Sequence, residues 1–279
     1  MSTQLILLGT AGGPTPRSAR HSASQVVLVD GDAYVIDCGN GVAHQLHQAG
    51  VAPSALRGVF ITHHHSDHNA DLGTLFLLSW PYLRRPVPVV APPPLVSMVR
   101  HFLEMSRYDL EIRMADEGRP PLADFLLPRE IDRGGVVYQD DKVEVRAALV
   151  DHPPVEPAFA YRIETADRSI VISGDTRPCD ALVDLARGAD VLVHEVIYPP
   201  AMEKLVEGNN GRTVLAHLLA SHTSVDDVGA IAERAGVGTL VLSHLSPPNP
   251  AVMPDLQWLE AARRGYSGTV LVGQDLLVV

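Results

Sequence analysis

Short apolar runs recur along the chain, each closed by glycine, proline or a polar residue. In the first part they fall at 5–8, 25–29, 34–36, 58–61 and 87–91. In the second they fall at 143–150, 158–163, 169–172, 191–193, 239–242 and 269–272. Most are rich in Val, Ile and Leu, a composition that predicts strands buried on both faces. Helical spacing appears between several of them. Val42, Leu46 and Ala49 follow Gly39-Asn40-Gly41 at that spacing. Ser224, with Asp226 and Asp227 behind it, predicts a capped helix start. Val228, Ile231, Ala232 and Ala235 continue its apolar stripe, and Gly236 stops it. Two further helices are predicted around 95–105 and 256–264. Residues 81–135 hold nine prolines. Outside the helix at 95–105, and above all over 108–132, this segment is expected to be irregular and to cover a pocket. Both halves mix strands with helices, without a fixed-period repeat or a linker. The pattern predicts one α/β domain over residues 1–279, built of two similar layers.

Composition narrows the partners. With 46% apolar residues among 279, a substantial core can form. The net charge of −11 gives no general attraction to nucleic acid or an anionic membrane. Nucleic acid is therefore not expected as a partner, although a local positive site, such as one made by metal ions, could still attract an anion. The first residues carry no basic cluster, 5–8 is too short for a signal core, and no apolar run approaches a bilayer span. Cys38 and Cys179 are the only cysteines, which fits a reducing, cytoplasmic setting.

The chemistry concentrates in His63-His64-His65-Ser66-Asp67-His68, an H-x-H-x-D-H run directly after an apolar strand. Alternate residues of an extended segment point the same way, so His63 and His65 can converge on one ion. Asp67 and His68, beyond a turn, can address a second. His152, Asp175, the pair His194-Glu195, and His244 each follow another predicted strand. Ligand sites of open α/β sheets lie at that carboxyl edge. Five imidazoles (His63, His65, His68, His152 and His244) and two carboxylates (Asp67 and Asp175) gathered there predict a metal site. A set of imidazole and carboxylate without thiolate suits zinc first, then manganese or ferrous iron.

These motifs resemble the metallo-β-lactamase superfamily, and within it the branch holding ribonuclease Z, arylsulfatase-type hydrolases and cyclic-nucleotide phosphodiesterases. The resemblance runs from Leu8-Gly9-Thr10 and Asp37-Cys38-Gly39 through Ser173-Gly174-Asp175-Thr176-Arg177 and His222-Thr223-Ser224 to Leu242-Ser243-His244. It implies an αβ/βα sandwich of two mixed β-sheets flanked by helices. It assigns His63, His65 and His152 to one metal and Asp67, His68 and His244 to the other, with Asp175 bridging. His194 is expected to support the site without binding metal. By the same resemblance His222, oriented by Glu195, protonates a leaving oxygen. Asp67 also holds the attacking water, and the reaction is hydrolysis by a hydroxide bridging two divalent ions.

The expected substrate is a phosphodiester or a related anionic ester such as an aryl sulfate. A lactone or carboxyl ester, a transfer-RNA 3′ end, or an inactive metal-binding role are the alternatives. No long basic arm of the kind that grips transfer RNA is visible, which favours a small substrate. Arg84, Arg177 and Arg212 are candidate anion contacts, and the segment 208–221 is a candidate flap leading into His222. Relatives of this branch often form homodimers, so a dimer is a possible assembly.

Overall fold

The computed structural model describes residues 2–279. The strands are β1 (Thr3–Gly9), β2 (Ser24–Val29), β3 (Asp32–Ile36), β4 (Leu56–Phe60), β5 (Val87–Ala91), β6 (Leu126–Glu130) and β7 (Gly135–Gln139), then β8 (Glu144–His152), β9 (Val155–Glu164), β10 (Ser169–Ile172), β11 (Val191–Ile197), β12 (Thr239–Ser246) and β13 (Thr269–Val272). The helices are α1 (Val42–Gln48), α2 (Ser66–Asn69), α3 (Leu72–Ser79), α4 (Leu95–Met105), α5 (Arg107–Glu117), α6 (Asp180–Ala186), α7 (Met202–Leu205), α8 (Val214–Ser221), α9 (Val225–Ala235) and α10 (Asp255–Ala262). One sheet has six strands in the order β1-β2-β3-β4-β5-β6; the other has seven, in the order β13-β12-β11-β10-β9-β8-β7. Each sheet is antiparallel on one side and parallel on the other: β3 to β6 run parallel, as do β10 to β13. This is the αβ/βα sandwich of two mixed sheets.

The period-two alternation of each strand sorts its side chains between two buried layers. Leu5, Leu7, Val27, Tyr34, Ile36 and Phe60 face inward onto Phe159, Tyr161, Ile163, Val191, Val193 and Val241 of the opposite sheet. Their neighbours Ile6, Leu8, Val35, Val59 and Ile61 face outward onto Val42 and Leu46 of α1 and Leu75 and Phe76 of α3. On the other side Val171, Leu192, Leu240 and Leu242 meet the helices through Leu182, Val228, Ile231 and Trp258. The strands read as continuous apolar runs because each is covered on both faces.

Several elements depart from the sequence pattern, each for an identifiable reason. The stretch 108–132, expected to be irregular, contains α5 and β6, and β7 follows it. β6 and β7 are the outer edges of the two sheets. An edge strand is half solvated, so its apolar signal is weak, and it tolerates a proline such as Pro128. Helix α5 buries only Leu110 and is laced by Arg113 to Asp109 and Glu117, pairs four residues apart, in place of an apolar stripe. Strands β11 and β12 continue past the expected ends at 193 and 242, so His194, Glu195 and His244 lie inside strands. The β11–β12 register shifts between Glu195 and Val196, skipping His244, whose φ is 47°. That bulge re-aims the His244 side chain within a parallel sheet.

The inner layer depends on Phe60, fully buried with its ring 5.5 Å from Tyr138 and 5.7 Å from Tyr161. Phe60→Ala is expected to lower unfolding free energy by about 3–5 kcal/mol, read as a drop in the denaturation midpoint with an unchanged slope.

Candidate metal centre

Both sheets present the carboxyl ends of their parallel strands at the same edge, and the polar side chains meet there. β4 delivers His63 and His65 through an extended segment. Helix α2, a single turn starting after His65, then turns Asp67 and His68 back toward them. β8 ends in His152, β10 leads through Ser173-Gly174 to Asp175, and β12 carries His244 on its bulge.

The seven side chains form two groups around Asp175. In the first, His65 Nδ1 lies 3.0 Å from His63 Nε2 and 3.2 Å from His152 Nε2, with Asp175 Oδ2 at 3.8 and 3.9 Å from His63 and His152. In the second, His244 Nε2 lies 3.2 Å from Asp67 Oδ2 and 3.3 Å from Asp175 Oδ2, and His68 Nε2 lies 3.3 Å from Asp175 Oδ1. Donors about 2.0–2.1 Å from a tetrahedral ion stand roughly 3.3 Å from one another, the spacing seen in both groups.

Hydrogen-bond accounting tests the fit. His152 Nδ1 donates to the Ser221 carbonyl at 2.9 Å, so its Nε2 turns a lone pair toward the other imidazoles. His68 Nδ1 lies 2.7 Å from Asp37 Oδ2. Its Nε2 and Asp175 Oδ1 face each other, buried, and neither has a hydrogen-bond partner among the described residues. Two buried acceptors in that relation need a cation between them. Charge says the same. Burial disfavours a charged His68, yet Asp175, Asp37 and Asp67 hold its pKa well above the ordinary imidazole value. Burial opposes ionisation of Asp175, yet His244 and His68 hold its carboxyl well below the usual range. His63, by contrast, is pushed well below the imidazole value by burial and by the neighbouring His68, which leaves it neutral, as a ligand must be. The cluster fits a metal site.

A second set of residues holds the donors in place. Asp37, at φ 61° just beyond β3, accepts from the Thr62 amide at 2.8 Å and anchors His68. Asp67 Oδ2 accepts from the Gly13 amide at 2.9 Å. The loop after β1 comes so close over β12 that a Cβ on Gly12 would sit 2.8 Å from the His244 carbonyl. Glu195 Oε1 takes His222 Nδ1 at 3.0 Å together with the amides of Thr176 and Thr223. Burial pulls the His222 pKa down, but the Glu195 carboxylate outweighs it and raises it to about 9. His222 is 3.9 Å from Asp175 Oδ2, at the rim of the donor cluster. His194 belongs to neither donor group; its Nδ1 bonds the Glu195 carbonyl at 2.7 Å.

The cleft above the cluster has a volume of about 300 Å³. Its walls come from the loop after β1 (Gly12, Gly13, Thr15, Arg17) and from α7 and α8 with the segment between them (Leu205, Asn209, Val214, His217, Leu218). No residue of 81–135 lines it, so the proline-rich cover lies elsewhere: its β5 and β6 extend the first sheet, and α4 and α5 pack on that sheet's outer side. Of the arginines, Arg17 lines the cleft, whereas Arg84 and Arg212 do not and Arg177 is held by Asp151 at 2.6 Å. Sequence reasoning missed two residues. Asp37 carries a signal like that of Asp175, a carboxylate close behind an apolar strand. His217 carries none, because only the path of α8 brings its ring to 5.8 Å from His152 and 5.9 Å from His222.

The model of the family described as anti-Pycsar protein Apyc1 matches residues 3–204. A protein of Mycobacterium bovis (strain BCG / Pasteur 1173P2) named ribonuclease Z is 36% identical over 283 residues, covering 98% of this chain and 96% of that protein. Among solved structures, the metallo-β-lactamase fold protein YhfI from Bacillus subtilis aligns over 100% of both chains (TM-score 0.73, 18% identity). The short form of human tRNase Z aligns over 99% of this chain and 98% of that one (TM-score 0.74, 20% identity). At such identities these two likenesses speak for the fold alone. The match to ribonuclease Z overturns the expectation that nucleic acid is not a partner. That expectation leaned on the missing arm and the net charge. The mycobacterial relative matches along 96% of its own length, which leaves little room for an additional arm there either. A whole-chain charge of −11 also says nothing about the field inside a cleft lined by Arg17 and a cation-demanding cluster.

Asp37→Ala is expected to weaken metal retention about 10–100-fold while the fold persists, measured by chelator competition and circular dichroism.

Proposed function

The chain belongs to the metallo-β-lactamase superfamily, in its ribonuclease Z-like branch and in the family described as anti-Pycsar protein Apyc1, and from that premise we propose that this metal-dependent hydrolase cleaves RNA phosphodiesters, with the 3′ end of a transfer-RNA precursor as substrate. The observation that carries the chemistry is the position of the His222–Glu195 pair against two donor groups that share one carboxylate. The RNA assignment is supported by the end-to-end similarity to a relative named for that activity.

His63, His65 and His152 would hold one divalent ion, and Asp67, His68 and His244 the other, with Asp175 between them; zinc suits the donors best. When bound, the ions supply counter-charge for the phosphoryl oxygens and lower the pKa of the attacking water. Asp67, fixed by the Gly13 amide and His244, orients that water. The water oxygen bonds to phosphorus as the bond to the ribose 3′-oxygen breaks. His222, whose Nδ1 is held by Glu195, has Nε2 free to give its proton to the departing 3′-oxygen. Arg17 offers the cleft a fixed positive charge. Both cysteines are free, which fits action in the cytoplasm.

A panel of zinc- and manganese-loaded protein against a transfer-RNA precursor, a bis-aryl phosphodiester, a cyclic nucleotide, an aryl sulfate and a lactone tests the reading. Precursor cleavage leaving a 3′-hydroxyl is expected. Turnover of the small esters with the precursor intact would replace the RNA reading.

His222→Ala is expected to lower cleavage of RNA, whose ribose 3′-oxygen is a poor leaving group, by about 10²–10⁴-fold and of an activated aryl diester far less. Equal losses would remove its role as proton donor. Because Glu195 raises the His222 pKa, the acid form persists to higher pH, and the rate falls as pH rises through that value. Glu195→Gln should move this alkaline limb to lower pH, read from kcat against pH.

A further inference from the structure

His217 lines the same cleft as His222 but has no part in the chemistry above. Its surroundings fix its tautomer. Ser221 Oγ gives its single proton to the Pro153 carbonyl, so toward His217 Nδ1, 3.2 Å away, it can only accept. Nδ1 therefore carries the hydrogen, and Nε2 is the ring atom left for the cleft. The same Ser221 receives His152 Nδ1 on its carbonyl, so the His217 ring is tied to the residue that also holds a metal-site imidazole. The rings of His217 and His222 stand 5.9 Å apart, almost perpendicular, which sets two imidazoles over neighbouring points in the cleft. At a pH of about 8, above the ordinary imidazole value of roughly 6.5, Nε2 of His217 offers a lone pair. The partner it suits is a hydroxyl donor, beside the oxygen that His222 protonates. In RNA that neighbour is the 2′-hydroxyl, on the carbon next to the 3′-oxygen, and it is the group that separates RNA from DNA.

We propose that His217 recognises the ribose 2′-hydroxyl adjacent to the scissile phosphodiester and so selects RNA over DNA; this rests on the RNA reading above. The residue is a specificity determinant: it accepts one hydrogen bond from the substrate and moves no proton.

The test uses full-length zinc-loaded protein and three versions of one precursor, carrying ribose, 2′-deoxyribose or 2′-fluororibose at the nucleotide 5′ to the cleavage site. The last two lack the donor, and the fluorinated sugar keeps the ribose-like pucker. Wild type is expected to cleave the ribose form on the order of tenfold faster in kcat/KM than either analogue, the size of one hydrogen bond. In His217→Leu that ratio should fall to within about twofold, and His217→Gln, which keeps an acceptor, should restore part of it. The ratio is internal to each variant, and bound zinc and the thermal midpoint report whether the variant is folded. A ratio unchanged in His217→Leu, or a fluorinated substrate cleaved as well as ribose, overturns the inference and leaves the RNA reading standing. A wild type that turns over a bis-aryl phosphodiester but no precursor overturns the RNA reading and this inference with it.

Discussion

Asp175 sets the terms for the rest of the site. It is a fully buried carboxylate within 4 Å of His63, His68, His152, His222 and His244. A charge in that position is tolerable only when opposite charge is supplied locally. Burial opposes charge on His68 and His244, yet the surrounding carboxylates hold both pKa values above the ordinary imidazole value. A metal cation held there would meet that demand and relieve the facing lone pairs of His68 Nε2 and Asp175 Oδ1. The cluster is thus costly without an ion and stable with one.

The fold exists to hold that arrangement at an edge. Two sheets pack through aromatic and branched side chains, and the parallel portions of both bring their carboxyl ends to one rim. Departures from regular structure concentrate there. Asp37 and His244 adopt left-handed backbone, β12 bulges at His244, and Gly12 lets one loop cross the histidine carbonyl closely. Strained backbone gathers where the surrounding structure aims polar groups at a reacting centre. The wall opposite, made by α7 and α8, is lightly packed: Ser221 is the one buried residue of α8, yet it anchors both His152 and His217.

An acidic surface does not by itself exclude a phosphodiester chain, because the electrostatic field acts locally. Affinity for a phosphate chain comes from the charges it touches, and at this site those would be Arg17 and any cation held by the donor cluster rather than the surface at large.

The sequence by itself determined the class of fold and marked the candidate metal donors that the structure brings together. His63, His65, Asp67 and His68 sit in one short run, and His152, Asp175 and His244 each stand near the end of an apolar strand, so local spacing and period-two patterning carry their signal. It also made the doubly covered strands legible, since burial on both faces leaves unbroken apolar runs. The tertiary structure alone decided the edge strands β6 and β7 and the polar helix α5, whose solvated faces erase the pattern, and the bulge that places His244 within a strand. It alone showed that residues 81–135 stand away from the cleft, and that α8 carries His217 to its wall. Those features arise from contacts between segments distant in the chain, and no local periodicity records such contacts.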